Sequence, residues 1–332
     1  MMDDAVEGGV RMERLGMGGA PLGNLFKAVS EADAQASLEA AWQAGIRHFD
    51  TAPHYGAGLS EHRMGTAMRH WPRGAFSLST KVGRMLEPDP AAPDLAEGFA
   101  GALPFRRRTD YSGPGALRSI EDSLQRLGLS RIDTVYIHDV SEDWHGAAWT
   151  QRMDEAMQGA ARALTDLKRQ GVIRAWGLGV NMVEPCLAAL ERSEPDVFLI
   201  AGRYTLLDHT ALAKLFPACA ARGVRCVLGG PYNSGLLAGG TTFNYETAPP
   251  DIAARAQAIA AVCRRHGVDT KAAALQFCAA HPQVAAVIPG ARNAAEVVEN
   301  VAMMNAAIPG QLWRDLRADG FVPDAAPTPR DG

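Results

Sequence analysis

The segment "GIRHFDTAPHYG" (residues 45–56) sets Asp50 and Tyr55 just past an apolar strand pattern, with His54 beside the phenol. Two more chemically capable residues close similar patterns: Lys81 ends "FSLSTK" and His138 ends "IDTVYIH". A carboxylate, a phenol, an ammonium and an imidazole form a proton-transfer set if the fold brings them together. Free tyrosine titrates near ~10, too high for easy exchange at neutral pH. An adjacent ammonium favours the phenolate and lowers that value, and a carboxylate keeps the ammonium charged and in place. Tyr55 can then give a proton to a carbonyl or take one from a hydroxyl, while His138 orients the substrate oxygen or relays the proton. Each residue alone has a plainer reading: a turn acid beside Thr51, a solvent-facing lysine, a strand end. Convergence on one rim is what favours catalysis.

The elements that would position them are short β-branched runs alternating with Ala/Leu-rich helical patterns. Strands are expected at 14–20, 46–50, 76–81, 132–138, 173–180, 197–202, 224–230 and 284–290. Over 31–45, Ala34, Leu38, Ala41 and Trp42 recur at helical spacing and Gly45 supplies a stop. Each parallel crossover needs a helix, so eight alternations predict an α/β chain folded as a (β/α)8 TIM barrel. An open doubly wound sheet is the competing arrangement. All strands of the barrel open their C-terminal ends on one face, where active sites lie. Asp50, Lys81 and His138 end strands two, three and four, and Tyr55 sits in the loop leaving strand two.

A single domain is expected over 1–320, with long loops on that face and a disordered tail at 321–332. The Pro- and Asp-rich stretch 87–110 reads as a long loop, and Arg106–Arg108 within it as a solvated basic run. The 332 residues are 47% hydrophobic with a net charge of -4, which gives no electrostatic reason to expect nucleic acid or an anionic membrane. No stretch approaches the roughly 20 apolar residues of a membrane span. The start, "MMDDAVEGGVRMERLG", lacks the pattern of a signal peptide, so the cytoplasm is the expected location. Cys186, Cys219, Cys226, Cys263 and Cys278 are scattered and form no CxxC, which fits reduced core thiols and no metal site. No heptad pattern marks an oligomer interface.

The segments "GIRHFDTAPHYGAGLSEHRMG", "LSTKVG", "DSLQRLGLSRIDTVYIHD", "GVIRAWGLGVN" and "VIPGARNAAEVVEN" resemble the aldo-keto reductase family, and the likeness runs along nearly the whole chain. The resemblance implies a barrel that binds a nicotinamide cofactor, NAD or NADP, without a Rossmann domain. It implies Asp50, Tyr55, Lys81 and His138 as the catalytic set. Within the family, "GGAPLGN", "TAPHYGAGLSE", "GRYTLLDH" and "PYNSGLLAGG" are similar to sugar dehydrogenases acting on D-threo-aldoses and L-fucose. That branch implies hydride loss from the anomeric carbon of a cyclic hemiacetal, leaving a lactone. Pyridoxal forms an internal hemiacetal too, so it is an alternative small-molecule substrate. An NADPH-dependent aldehyde reductase and a nicotinamide-binding regulatory subunit are the other readings.

Barrels often hold phosphate with the loops after strands seven and eight and a helix N-terminus. Here those loops offer Tyr232, Asn233, Ser234, Gly235 and Leu236, then Pro289, Gly290, Ala291 and Arg292, followed by Glu299 and Asn300. The resemblance adds Gly18, Gly19, Asp50 and Asn181. It also shows departures: the serine expected before Asn181 is missing, Ala201 replaces a glutamine, and Gly229 replaces a stacking aromatic, leaving Tyr232 as its substitute. Asn293 and Glu296 read as a capping-box-like pair. Glu296 also stands where NADPH-using relatives carry an arginine, which favours NAD, although Arg292 could grip a 2′-phosphate. For the substrate, His54, Tyr55, His138 and Trp144 are the expected lining, with Trp149 and Phe26 as weaker candidates.

Overall fold

The computed structural model describes residues 14–93 and 95–329. The reading of the first thirteen residues as free of a signal peptide lies outside the described residues. Eight strands follow one another around a sheet in sequence order. They are β1 (Met17–Gly18), β2 (His48–Asp50), β3 (Ser77–Val82), β4 (Thr134–His138), β5 (Ala175–Val180), β6 (Val197–Ala201), β7 (Arg225–Gly229) and β8 (Val284–Ile288). Every neighbouring pair is parallel. Parallel bridges from Leu15 to Val287 and from Gly18 to Gly290 join the first strand to the last, so the sheet curls into a barrel. All eight expected strands form, seven within their expected segments and β3 one residue past the end of its own, and the open-sheet alternative is set aside.

Side-chain alternation sorts the apolar residues of β4, β6, β7 and β8 into two clusters. Tyr136, Leu199, Val227, Ala286 and Ile288 form a small cluster of their own. Their strand neighbours Val135, Ile137, Phe198, Ile200, Cys226, Leu228 and Val287 belong to the larger core packed with the helices. A Cβ on Gly19 would lie 2.7 Å from the Asp50 carbonyl oxygen, so a glycine there lets the first strand sit flush against the second. The helix Glu31–Gln43 starts where Ser30 caps the Asp33 N–H and buries Ala34, Leu38 and Ala41 as its spacing predicts.

Two expectations need correction. The stretch 87–110 is not an irregular loop. Arg84–Pro88 pairs antiparallel with Phe105–Thr109, and Leu95–Ala96 pairs with Phe99–Ala100 farther out, making an arm after β3. The basic run lies in a strand, so its members alternate. Arg106 and Arg108 face solvent and pair with Glu87, while Arg107 turns inward with a side chain only 5% exposed. The segment 321–329, expected to be disordered, packs on the barrel. Val322 and Ala326 are buried, and Arg317 donates to the Ala326 carbonyl at 2.7 Å. Among the described residues no helix is long and apolar enough to cross a membrane. All five cysteines are free and buried.

Candidate active site

The register of β2 on β3 sets Asp50 opposite Ser79, and Lys81 follows two residues later on the same face. From there the Lys81 ammonium donates to Asp50 Oδ1 at 2.6 Å and to the Thr51 carbonyl at 2.9 Å. Ser79 donates to the other Asp50 oxygen at 2.7 Å, so the buried carboxylate is held on both sides. The ammonium also lies 4.6 Å from the centre of the Tyr55 ring. The His138 ring meets that phenol edge-on, with centroids 5.9 Å apart. Gly23 fixes the loop that carries Tyr55: a Cβ there would fall 2.5 Å from the Tyr55 carbonyl carbon. The four residues thus meet at the C-terminal rim of the barrel.

Their electrostatics differ from expectation in one respect. The Tyr55 phenol is pushed well above the usual tyrosine range, first by burial and then by the Asp50 and Asp139 charges, with Arg84 opposing. Burial and the two carboxylates prevail over any lowering by the Lys81 ammonium 4.6 Å from the ring centre. Tyr55 therefore rests as a neutral phenol, a proton donor. His138 is held well below the ordinary imidazole range by burial, then by Arg84, Lys81 and His54. It rests neutral, with Nε2 3.3 Å from Asp139 Oδ2 and Nδ1 buried without a partner. A carboxylate facing Nε2 places the proton there and leaves Nδ1 a bare acceptor.

Sequence reasoning missed the groups around this set. Arg84, from the arm, bonds the Asp139 carboxylate and lays its guanidinium 3.5 Å from the Trp144 ring centre. Tyr111 donates to the His138 carbonyl at 2.8 Å and meets His145 at 2.8 Å. His54 touches Phe99, Trp144 and His138 edge-on, with ring centroids 5.1, 5.8 and 5.6 Å away. Of the expected substrate residues, His54, Tyr55, His138 and Trp144 share this mouth. Trp149 instead packs against the helical core. Reading "FRRRT" as a strand would have turned Arg107 inward and pointed to the arm.

Beside the mouth runs a groove of about 330 Å³. Tyr232, Ser234 and Gly235 line one part of it, and Gly290, Arg292, Glu299 and Asn300 another. Phe26, Lys271 and Glu296 also face it. Tyr232 donates to Asn300 at 2.7 Å, which ties the β7 loop to the helix that follows β8, Ala294–Asn305. Other expected contacts lie back from the groove. Gly18 donates to the Pro289 carbonyl at 3.0 Å, and Gly19 to that of Asp50 at 2.7 Å. Leu236 and Ala291 are packed in the core. Asn181 points to Asp143 at 3.4 Å. Asn233 is buried with its carbonyl oxygen unpartnered, an acceptor awaiting a donor. Glu296 accepts from the Arg292 backbone N–H at 2.8 Å and pairs with its guanidinium at 3.2 Å, while its own N–H is capped by Asn293.

A profile of the Aldo/keto reductase family matches residues 14–318. The chain belongs to that family. It is 39% identical over 328 residues to pyridoxal 4-dehydrogenase of Microbacterium luteolum, covering 95% of this chain and 96% of the relative. It is 38% identical over 328 residues to D-threo-aldose 1-dehydrogenase of a Pseudomonas species, with 96% and 97% covered. The holo form of an aldo-keto reductase from Bacillus halodurans superposes with a TM-score of 0.68 at 26% identity, over 92% of this chain and 91% of that one. This aldo-keto reductase is an enzyme of the oxidoreductase class, and its family uses NAD(P). The groove suits such a group: it lies between the β7 and β8 loops and is lined by cationic Arg292 and Lys271 together with Ser234 and Asn300. When bound, the nicotinamide supplies hydride chemistry.

Proposed function

We propose that this aldo-keto reductase oxidises the anomeric carbon of a cyclic hemiacetal to a lactone. The observation that carries the reading is the buried Lys81–Asp50 pair beneath the Tyr55 ring, with neutral His138 beside it and the groove adjoining. Relatives named for a D-threo-aldose and for pyridoxal support it, since both compounds form cyclic hemiacetals. In this reading Tyr55 and His138 hold the anomeric hydroxyl. The anomeric O–H proton would pass to the phenolate form of Tyr55 as the C–H bond breaks and the lactone carbon–oxygen double bond forms, a bound nicotinamide supplying the hydride acceptor. Asp50 keeps Lys81 charged, and the ammonium stabilises Tyr55 in its proton-accepting state. Arg84 and Asp139 keep His138 in one tautomer and orientation.

NAD is the favoured cofactor in this proposal. Glu296 already grips Arg292, so a 2′-phosphate arriving there meets a carboxylate and a guanidinium that is engaged. The proposal assigns catalysis to one barrel domain, with a small molecule as partner and the cytoplasm, where buried thiols stay reduced, as its place. The test follows reduced-cofactor absorbance with L-fucose, D-arabinose, L-galactose and pyridoxal, using NAD or NADP. The proposal expects the highest kcat/KM among these with NAD. A higher kcat/KM for simple aldehydes with NADPH would make the enzyme an aldehyde reductase instead.

A further inference from the structure

The substrate mouth carries a wall of unmet hydrogen-bonding capacity that the proton-transfer set does not use. Glu97 sits at the tip of the arm, in the two-residue turn between Leu95–Ala96 and Phe99–Ala100. Glu97 and Gly98 both have left-handed backbone, with φ of 52 and 83, as a tight hairpin turn requires. Asparagine, aspartate or glycine ordinarily takes the first of these positions, so a glutamate there is held for what its side chain does. Its carboxylate turns back into the mouth. His54 Nδ1 approaches Oε2 at 3.2 Å, Arg107 Nε at 3.5 Å and Arg84 Nη1 at 3.9 Å.

Three polar groups thus crowd a single oxygen, and the hydrogen bonding they need is incomplete. His54 Nδ1, Arg107 Nε and Arg84 Nε are all buried without a hydrogen-bond partner, as is His138 Nδ1 in the same mouth. Folded proteins leave few such atoms, and four around one opening point to a ligand bearing several oxygens. The charges bound its type. Arg84 and Arg107 are matched by Asp139 and Glu97, so the wall favours a neutral ligand. Burial holds His54 below the ordinary imidazole range, which keeps that member neutral as well.

We propose that Glu97, Arg107 and His54 form a hydroxyl-reading site in which Glu97 sets specificity for substrates carrying adjacent ring hydroxyls. The Glu97 carboxylate accepts from two neighbouring O–H groups, and Arg107 donates from Nε to the oxygen of one of them. The Glu97 carboxylate facing Nδ1 of His54 places the ring proton there, so Nε2 is the atom that accepts from a third hydroxyl. This rests on the hemiacetal reading and deepens it. A neutral sugar ring supplies the hydroxyl pair, whereas a flat pyridine ring does not.

The variants are Glu97→Asn, which suits the turn while shortening and neutralising the side chain, and Glu97→Gln, which keeps its shape. Substrates are L-fucose and pyridoxal. Glu97→Asn is expected to lower kcat/KM for L-fucose about 100-fold and for pyridoxal less than about threefold. Glu97→Gln is expected to show the same selective loss at about 10-fold. Equal losses on both substrates would make Glu97 a support of the arm, and unchanged L-fucose turnover would remove it from the site; either overturns the proposal. Calorimetric titration of L-fucose into wild-type and Glu97→Asn protein separates this from the reaction. A wild type that turns over no hemiacetal defeats the proposed reaction. Weaker binding in the variant would still support the site, and equal or absent binding in both proteins would overturn it.

Discussion

At the scale of single residues, the decisive quantity is the protonation state of Tyr55. Burial and two carboxylates keep it a phenol. The sign of the pH effect follows. Reduction of a carbonyl uses the phenol, present at every pH below the raised value. Oxidation needs the phenolate, whose fraction grows tenfold per pH unit below that value. The kcat/KM for oxidation is therefore expected to climb through the alkaline range with a slope near one, and that for reduction to stay level. Paired pH profiles measure this, and an oxidation profile flat to about pH 10 would assign proton acceptance to another group. Tyr55→Phe is expected to lower kcat about 1000-fold in both directions with cofactor binding retained, read by fluorescence titration. The positions of Asp50, Lys81 and His138 were legible because each closes a strand pattern, and that of Tyr55 because it sits in the loop leaving the second. The direction of the tyrosine shift was not, because sequence does not show how deeply the phenol is buried or that the Asp50 and Asp139 charges lie near it.

At the scale of elements, the site depends on how helices seat the loops. The helix Leu59–Met68 begins just past the Tyr55 loop and packs on Gly113–Leu127. At Gly65 they lie so near that a Cβ would fall 2.2 Å from the Leu127 carbonyl oxygen. Gly65→Ala must separate the helices and is expected to cost about 1–3 kcal/mol, measured as a lower midpoint in chemical denaturation. An unchanged midpoint would mean that the interface yields at no cost. The helix Ala294–Asn305 gives a second test. Glu296→Arg removes the partner of Arg292 and adds a cation, so the kcat/KM ratio of NADP to NAD is expected to rise about 10-fold or more. An unchanged ratio would leave Glu296 as a helix-terminus brace alone. The barrel strands were readable because apolar runs and the alternation with helices are strong signals. The arm was not, since its strands are polar and flanked by prolines. Its period-two pattern is visible only once Arg107 is seen to turn inward between two solvent-facing arginines. The end segment misled for a related reason: its small and polar residues conceal Val322 and Ala326, which find a preformed apolar surface.

At the scale of the whole molecule, pH acts through several imidazoles at once. His48, His54 and His138 are all lowered chiefly by burial. His209 and His281 are lowered to about 4 by the same cause. A folded value below the unfolded one means that the unfolded chain binds more protons below about pH 6.5. The stability these residues contribute is thus fully present above that pH. It drains away as pH falls towards the folded values, near 4 for His209 and His281. Carboxylates lowered in the folded state, such as Glu97, add their loss in a more acidic window. The melting temperature is expected to be level from about pH 7 to 8 and to fall steadily between about 6.5 and 4. His281 isolates one contribution. Its ring packs 4.3 Å from Phe216 and 5.3 Å from Tyr204, and its Nδ1 accepts from the Gln283 N–H at 3.1 Å, so protonation charges a desolvated ring. His281→Gln keeps a polar side chain and removes the titration. It is expected to recover on the order of 2 kcal/mol of the loss between pH 7 and 4, seen as a shallower slope of melting temperature against pH. Parallel slopes for the wild type and the variant would show that the His281 proton is bound equally in the folded and unfolded chains.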